Sequence, residues 1–264
     1  LMVEQMGATM LRGLRGNLDL PRNNGDATAT WEGENDANAE TNLTFDKISL
    51  TPNRLGAFTD VSKQLMIQSS IDVENLVRRR LNFAVQKAVD TAALNGSGSG
   101  NQPTGILNTS GIGDVAGGTN GATPTFGNLV DLETALAVDN ADMGRIGYLT
   151  TPGIRGYLKQ TIIDSGSGRF IWPVGANELN GYRVGVTTQV PNDLTKGTAS
   201  GICHAVIFGN WEELLIGQWA GLDIVVDPYS SSKNALVTLV VNSWWDMAVR
   251  HPESFAAMKD ALTS

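Results

Sequence analysis

At 264 residues the chain has room for one or two domains and a substantial core. A formal net charge of −8 argues against a dedicated nucleic-acid binder, which displays a basic patch. One cysteine, Cys203, excludes an internal disulfide, and with only two histidines no zinc site of structural spacing can be assembled.

The opening LMVEQMGATMLRG has neither a basic start nor an apolar stretch, so it is not read as a signal peptide. Gly7, Gly13, Gly16, Pro21 and Gly25 bar a long helix over residues 1–26. An extended arm without a core of its own is expected there, with a short strand around Asn17 to Leu20. Residues 27–60 read as a long two-stranded ribbon, Ala27–Trp31 against Leu43–Leu50, around the acidic tip GENDANAETN. Such a ribbon is marginal alone and needs a partner surface. Glu34, Asp36, Asn38 and Glu40 fall at alternate positions, but Ala39 and Phe45 stand where a calcium loop needs Gly and Glu, so no metal is expected.

The stretch SSIDVENLVRRRLNFAVQKAVDTAALNGSGSG predicts one helix over 71–95, roughly 37 Å long. Ser69 or Ser70 would cap it, Asp72 and Glu74 would face its positive end, and Gly96 would close it in a left-handed conformation. Val73, Leu76, Val77, Leu81, Ala84, Ala88 and Ala92 share one side; Asn75, Arg79, Asn82, Gln86 and Asp90 share the other. Arg80 falls in the apolar stripe and Phe83 on the polar face. Either Arg80 snorkels and Phe83 is a stray exposed aromatic, or the helix is contacted on both sides, by its own domain and by another subunit. Glu74 and Arg78 form an i, i+4 pair, which leaves Arg79 able to reach a neighbour.

Beyond a loop over 96–121, helices are expected at Asn128–Val138 and from Pro152, capped by Thr151, to about Ile163. Strands are expected at Arg145–Leu149, Arg183–Thr187, Ile202–Phe208, Glu213–Gly217, Leu222–Val226 and Ala235–Val249. In the last, Val237, Leu239, Val241, Trp245, Met247 and Val249 share a face. The longest apolar run, Ala235 to Val241, is too short to cross a bilayer, so a soluble chain without membrane contact is expected. Segregated helices and strands give an α+β fold class.

A search for chemistry finds no catalytic set. There is no G-x-S-x-G elbow; His204 reads as a satisfied core histidine, and His251 stands at a strand end before a proline. GSGSGNQPTG lacks the G-K-[ST] ending of a phosphate loop and follows a helix, so it reads as a flexible surface loop. No cofactor is implied.

The motifs MLRGLRGNLDLPR, ATWEGEN, LTFDKISLTPNRLGAFTDVSKQLMIQSSIDVENLV and AALNGSGSGNQPTGIL occur in that order. YLTTPGIRGYLKQ, ELNGYRVGVTTQVP, VIFGNWEELLIG and VRHPESFAAMK follow. Together they resemble the major capsid proteins of tailed double-stranded DNA bacteriophages with the HK97-type fold, over nearly the whole chain. The resemblance implies an N-arm at 1–26 and an E-loop at 27–60 lying on the adjacent subunit. It further implies a peripheral (P) domain at 61–105 and 225–264 with spine helix 71–95, and an axial (A) domain at 106–224. By the same resemblance the protein is a non-enzymatic shell subunit of the virion, assembled in the host cytoplasm as hexamers and pentamers. A portal, with a scaffold or maturation protease, would be its partners, and packaged double-stranded DNA would be touched only weakly and non-specifically. Many such proteins carry an N-terminal scaffolding segment removed on maturation and others use a separate scaffold protein; a start at Leu1 fits a mature or truncated chain.

Loop residues Trp31, Glu32 and Glu34 would then lie over a neighbour's Arg78, Arg79 and Phe83. Some relatives cross-link a Lys to an Asn with help from a Glu. Lys47 and Asn234 are present, but no Glu matches, so no cross-link is expected. An encapsulin-type nanocompartment shell is the nearest alternative, and a small α+β hydrolase is the alternative of another class.

Overall fold

The computed structural model describes residues 1–25, 29–34, 37, 40, 42–68, 73–164, 166 and 168–263. The elements run α1 (Met2–Met6), β1 (Thr9–Arg12), β2 (Leu18–Gly25), β3 (Thr44–Leu50), β4 (Asn53–Ser62), α2 (Lys63–Gln68) and α3 (Val73–Asn95). There follow β5 (Gly113–Asp114), α4 (Phe126–Val138), β6 (Ile146–Thr150), α5 (Pro152–Gln160), β7 (Glu178–Leu179), β8 (Tyr182–Val186), β9 (Leu194–Lys196) and β10 (Ala199–Asn210). β11 (Leu214–Gln218), β12 (Asp223–Asp227), β13 (Leu236–Val249) and β14 (Phe255–Ala261) close the chain.

Two sheets organise these elements. In the five-stranded body sheet β13 is central: it pairs antiparallel with β4, β11 and β12, and β1 joins β11 in parallel. The seven-stranded second sheet runs β5-β14-β10-β6-β8-β7, with β9 on β10. β2 and β3 form the separate ribbon, registering Leu18 on Leu50 and Leu20 on Ile48. The face of β13 carrying Val237, Leu239, Val241, Met247 and Val249 is buried, as its alternation predicts. Against it packs α3, through Leu81, Val85, Val89, Ala92 and Ala93.

Several expectations are corrected. Residues 2–12 are not a coreless arm. The glycines bar a long helix but not a five-residue one, and Val3 and Met6 bury it before Gly7 turns away at φ +121°. The ribbon partner of β3 is β2, because Leu18 and Leu20 supply the apolar pairs; Ala27 and Thr28 lie outside the described residues, and Trp31 is in coil. Residues 53–60 belong to β4 and pair with β13, not with the ribbon. On α3 the buried stripe is rotated: Leu76 and Ala84 are exposed, Arg80 is exposed, and Asp90 is buried. The cap at Ser69 or Ser70, and Ile71 and Asp72, fall outside the described residues.

Gly96 is not left-handed; it is required because a Cβ there would lie 2.2 Å from the Pro103 carbonyl oxygen and 2.5 Å from that of Ala92. The loop after α3 is a wound hairpin. The Gly105 N–H donates to the Gly96 carbonyl (2.9 Å), and the Asn108 amide donates to the carbonyls of Gly96 (2.9 Å) and Asn95 (3.2 Å). Those bonds satisfy the carbonyls a helix end leaves open.

The expected grouping of 225–264 beside the spine helix fails for β14, which pairs with β10 in the second sheet. Residues 214–218, expected in the A domain, pair with β13 in the body sheet.

Candidate subunit interface

The ribbon is rooted at three points. Leu50 is fully buried, the Thr51 N–H donates to Asp246 on β13 (2.7 Å), and the Arg22 guanidinium reaches the Arg250 carbonyl (3.5 Å) while pairing with Asp46 (3.0 Å). Arg250 is itself held by both oxygens of Glu213, at 2.7 and 2.8 Å. Burial pushes the Asp246 carboxyl above the usual carboxylate range, opposed by the Thr51 and Met247 amides. The amide of Lys47 and then Arg22 hold Asp46 below that range, and Ser49 and Lys47 do the same for Asp19.

Beyond this root the chain projects apolar groups into solvent. Trp31 is 104% exposed, Phe45 69% and Leu43 49%. Glu32 and Glu34 are exposed beside Trp31, Glu32 accepting from Thr30 (2.5 Å). Burying one such aromatic, about 200 Å² at about 25 cal/mol/Å², is worth roughly 5 kcal/mol before ordering costs. On α3 Phe83 is 62% exposed, Arg79 is exposed, and Arg78 donates from Nε (2.9 Å) and Nη2 (2.6 Å) to a single Glu74 carboxylate oxygen. Ile67, at 83%, extends the apolar exposure along α2.

The loop trio Trp31, Glu32 and Glu34 and the helix trio Arg78, Arg79 and Phe83 are not joined by any described hydrogen bond or ion pair within the chain. Five of the six are exposed and Arg78 is half-buried.

The imidazole that comes nearest to catalytic geometry is His204, whose Nδ1 lies 2.7 Å from the Thr151 hydroxyl. That hydroxyl is buried and accepts from the Ile154 N–H (3.3 Å), so it caps α5. The hydroxyl and the ring nitrogen share one hydrogen bond whose direction follows the His204 tautomer. His251 borders a polar cleft of about 570 Å³ with Ser110 and Ser254, and no described side-chain hydrogen bond joins it to either hydroxyl. Among the described residues no group of three or more His, Cys, Asp and Glu could hold a metal, and no helix is long and apolar enough to cross a membrane. The acidic loop reading falls partly on Asp36, Asn38 and Ala39, outside the described residues.

Sequence reasoning missed three polar positions that hold the elements around this surface in place. Asp90 was placed on a polar face, Asp246 lies in an apolar strand, and Asn108 follows the glycine hairpin. Each is a polar residue embedded in an apolar or glycine-rich context, which is the one signal that could have marked it.

A family model described as the phage capsid family matches residues 2–260. The chain belongs to the phage capsid family. Among curated proteins, this capsid-family chain is 30% identical over 257 residues to a major capsid protein of Halomonas phage phiHAP-1, covering 97% of the chain and 40% of the relative. It is 25% identical over 269 residues to a major capsid protein of Klebsiella oxytoca phage phiKO2, covering 95% of the chain and 61% of the relative. The chain thus spans from two-fifths to three-fifths of the length of these relatives.

Among solved structures it superposes on the capsid of a native GTA particle with a TM-score of 0.76 at 20% identity, covering 98% of this chain and 90% of that one. On a chain from Mycobacterium phage Adephagia the TM-score is 0.74 at 11% identity, covering 98% and 89%. The capsid-family fold expected from the motifs, HK97-type and α+β, is the fold observed.

Proposed function

We propose that this chain is the structural subunit of the icosahedral shell of a bacteriophage virion, closing around double-stranded DNA as hexamers and pentamers of itself. The family match over residues 2–260 carries the reading. The bare Trp31 on a rooted ribbon supports it, since an aromatic with no cover in its own chain is what an assembly contact needs.

In this reading the segment from the ribbon to Asn42 is the E-loop, α3 with the body sheet is the peripheral domain, and the second sheet with α4 and α5 is the axial domain. β14 goes with the axial domain on its pairing. Trp31, Glu32 and Glu34 lie across the neighbour's α3 near Arg78, Arg79 and Phe83. The protein acts by assembly, without catalysis. Multivalency holds the shell even where each contact is weak. A portal and a scaffold or protease complete the particle, and the net charge of −8 keeps contact with DNA weak and non-specific.

Electron microscopy of the purified chain tests this directly. Closed shells are expected, and deletion of Gly33 to Asn42 should leave folded, unassembled protein. A monodisperse monomer from the unaltered chain at all concentrations would overturn the reading, and normal shells after the deletion would overturn the loop contact.

A further inference from the structure

We propose that residues 1–12 form a clasp across the junction of the two sheets, bonded to the body and seated on the second sheet through two methionines, and that this clasp sets the angle between them. The clasp belongs to the single chain and stands whether or not that chain forms shells.

On the body side the anchors are directional hydrogen bonds. The Met2 and Val3 amides end on Asp90 of α3, at 2.8 and 3.2 Å, and β1 runs in parallel register on β11 from Thr9 opposite Leu215 to Arg12 opposite Gln218. The Thr9 hydroxyl donates to the Glu212 carbonyl (2.8 Å), in the short turn that joins β10 to β11.

On the other side the contact is a seat. Gly147 of β6 and Gly185 of β8 open onto one face, because Leu149, two residues on from Gly147, is the registered partner of Gly185. Met2 and Met6 fill the hollow. A Cβ at Gly185 would lie 2.5 Å from Met2 Cε and 2.8 Å from Met6 Sδ, and one at Gly147 would lie 3.0 Å from Met6 Cε. Among the described hydrogen bonds, only that from the Arg183 guanidinium to the Gln5 carbonyl ties residues 1–12 to the second sheet. Hydrogen bonds fix a position, whereas an unbranched thioether adapts to a shifted seat at little cost.

The two sheets also share one apolar cluster, which includes Leu149 and Ile207 of the second sheet with Val85 and Val89 of α3. Apolar burial is non-directional, so it holds the layers together without choosing their angle. The clasp, bonded to one layer and seated on the other, makes that choice and leaves it latitude. On the shell reading, this latitude is what one chain needs to sit in both hexamers and pentamers.

The test uses the full chain, dilute enough to stay unassembled, with Cys203→Ala removing the native thiol. Spin labels at Asp223→Cys on β12 and Glu178→Cys on β7 report the distance between the sheets by double electron–electron resonance. Labels at Lys63→Cys and Asp223→Cys report the body alone. Emptying the seat with Met2→Ala and Met6→Ala together should widen the distribution between sheets by about twofold or more and leave the body distribution unchanged. Asp90→Leu frees the other end of the clasp and carries the same expectation, so the question is decided even where the double variant does not fold. A distribution between sheets as narrow as in the unaltered chain, with circular dichroism unchanged, overturns the proposal. Equal widening of both pairs shows general loosening and overturns it as well.

Discussion

The Asp90 carboxylate, buried in the last third of the long helix, accepts the backbone N–H groups of Met2 (2.8 Å) and Val3 (3.2 Å). It caps the first helix from a distance of 88 residues in sequence. Asp90→Leu removes the acceptor and leaves two amides open, which should cost about 2–4 kcal/mol by urea denaturation, whereas Asp90→Asn keeps an acceptor and should cost less. Hydrogen exchange at Met2 to Met6 should rise before exchange at β13 does.

Glycine positions divide cleanly. Gly96→Ala and Gly105→Ala each drive a Cβ within 2.4 Å of backbone atoms, and each should destabilise by about 2 kcal/mol or more. Gly156 lies inside α5 with nothing within 4 Å of a built Cβ, so Gly156→Ala should stabilise by about 0.5–1 kcal/mol. Thermal melts of the three variants check the signs.

Stability against pH carries two opposed contributions. Burial raises the Asp246 carboxyl in the folded chain, so its contribution is full below the model-peptide value of 3.8 and fades as pH rises through the raised value. Burial lowers His204, so its contribution is present above 6.5 and is lost as pH falls through the lowered value. Asp246→Asn should flatten the first slope and His204→Gln the second, read from denaturation midpoints at closely spaced pH.

Substitutions on the outer face of α3 should separate folding from assembly. Phe83→Ala and Arg79→Ala touch exposed side chains and should change the stability of the unassembled chain by no more than about 0.5 kcal/mol. Glu74→Gln breaks a half-exposed helical pair worth about 0.3–0.5 kcal/mol. Particle yield, followed by light scattering, should fall well beyond what these small changes allow.

Strands rich in β-formers were legible whether one face is buried or both, as in β6, β10 and β11, and the alanine-rich β14 was not. β13 alternates and was read almost to its ends. β14, FAAMKDA, is buried on nearly every residue and so shows no period of two; its alanines also lack strand propensity. Asp90 illustrates the same limit on a helix, where its polar identity outweighed a position beside Val89 that proves to be inside. That the ribbon needs a partner surface was legible from its strands, but the cleft lined by Leu55, Val89 and Trp245 was not, because it is built from segments far apart in sequence.

The root of the ribbon has a mechanical consequence. Thr51 hangs directly on Asp246, and Asp246 sits on the strand that every antiparallel neighbour in the body sheet shares. Tension applied at the loop tip is therefore delivered to the central beam of its own subunit and not dissipated in a floppy joint.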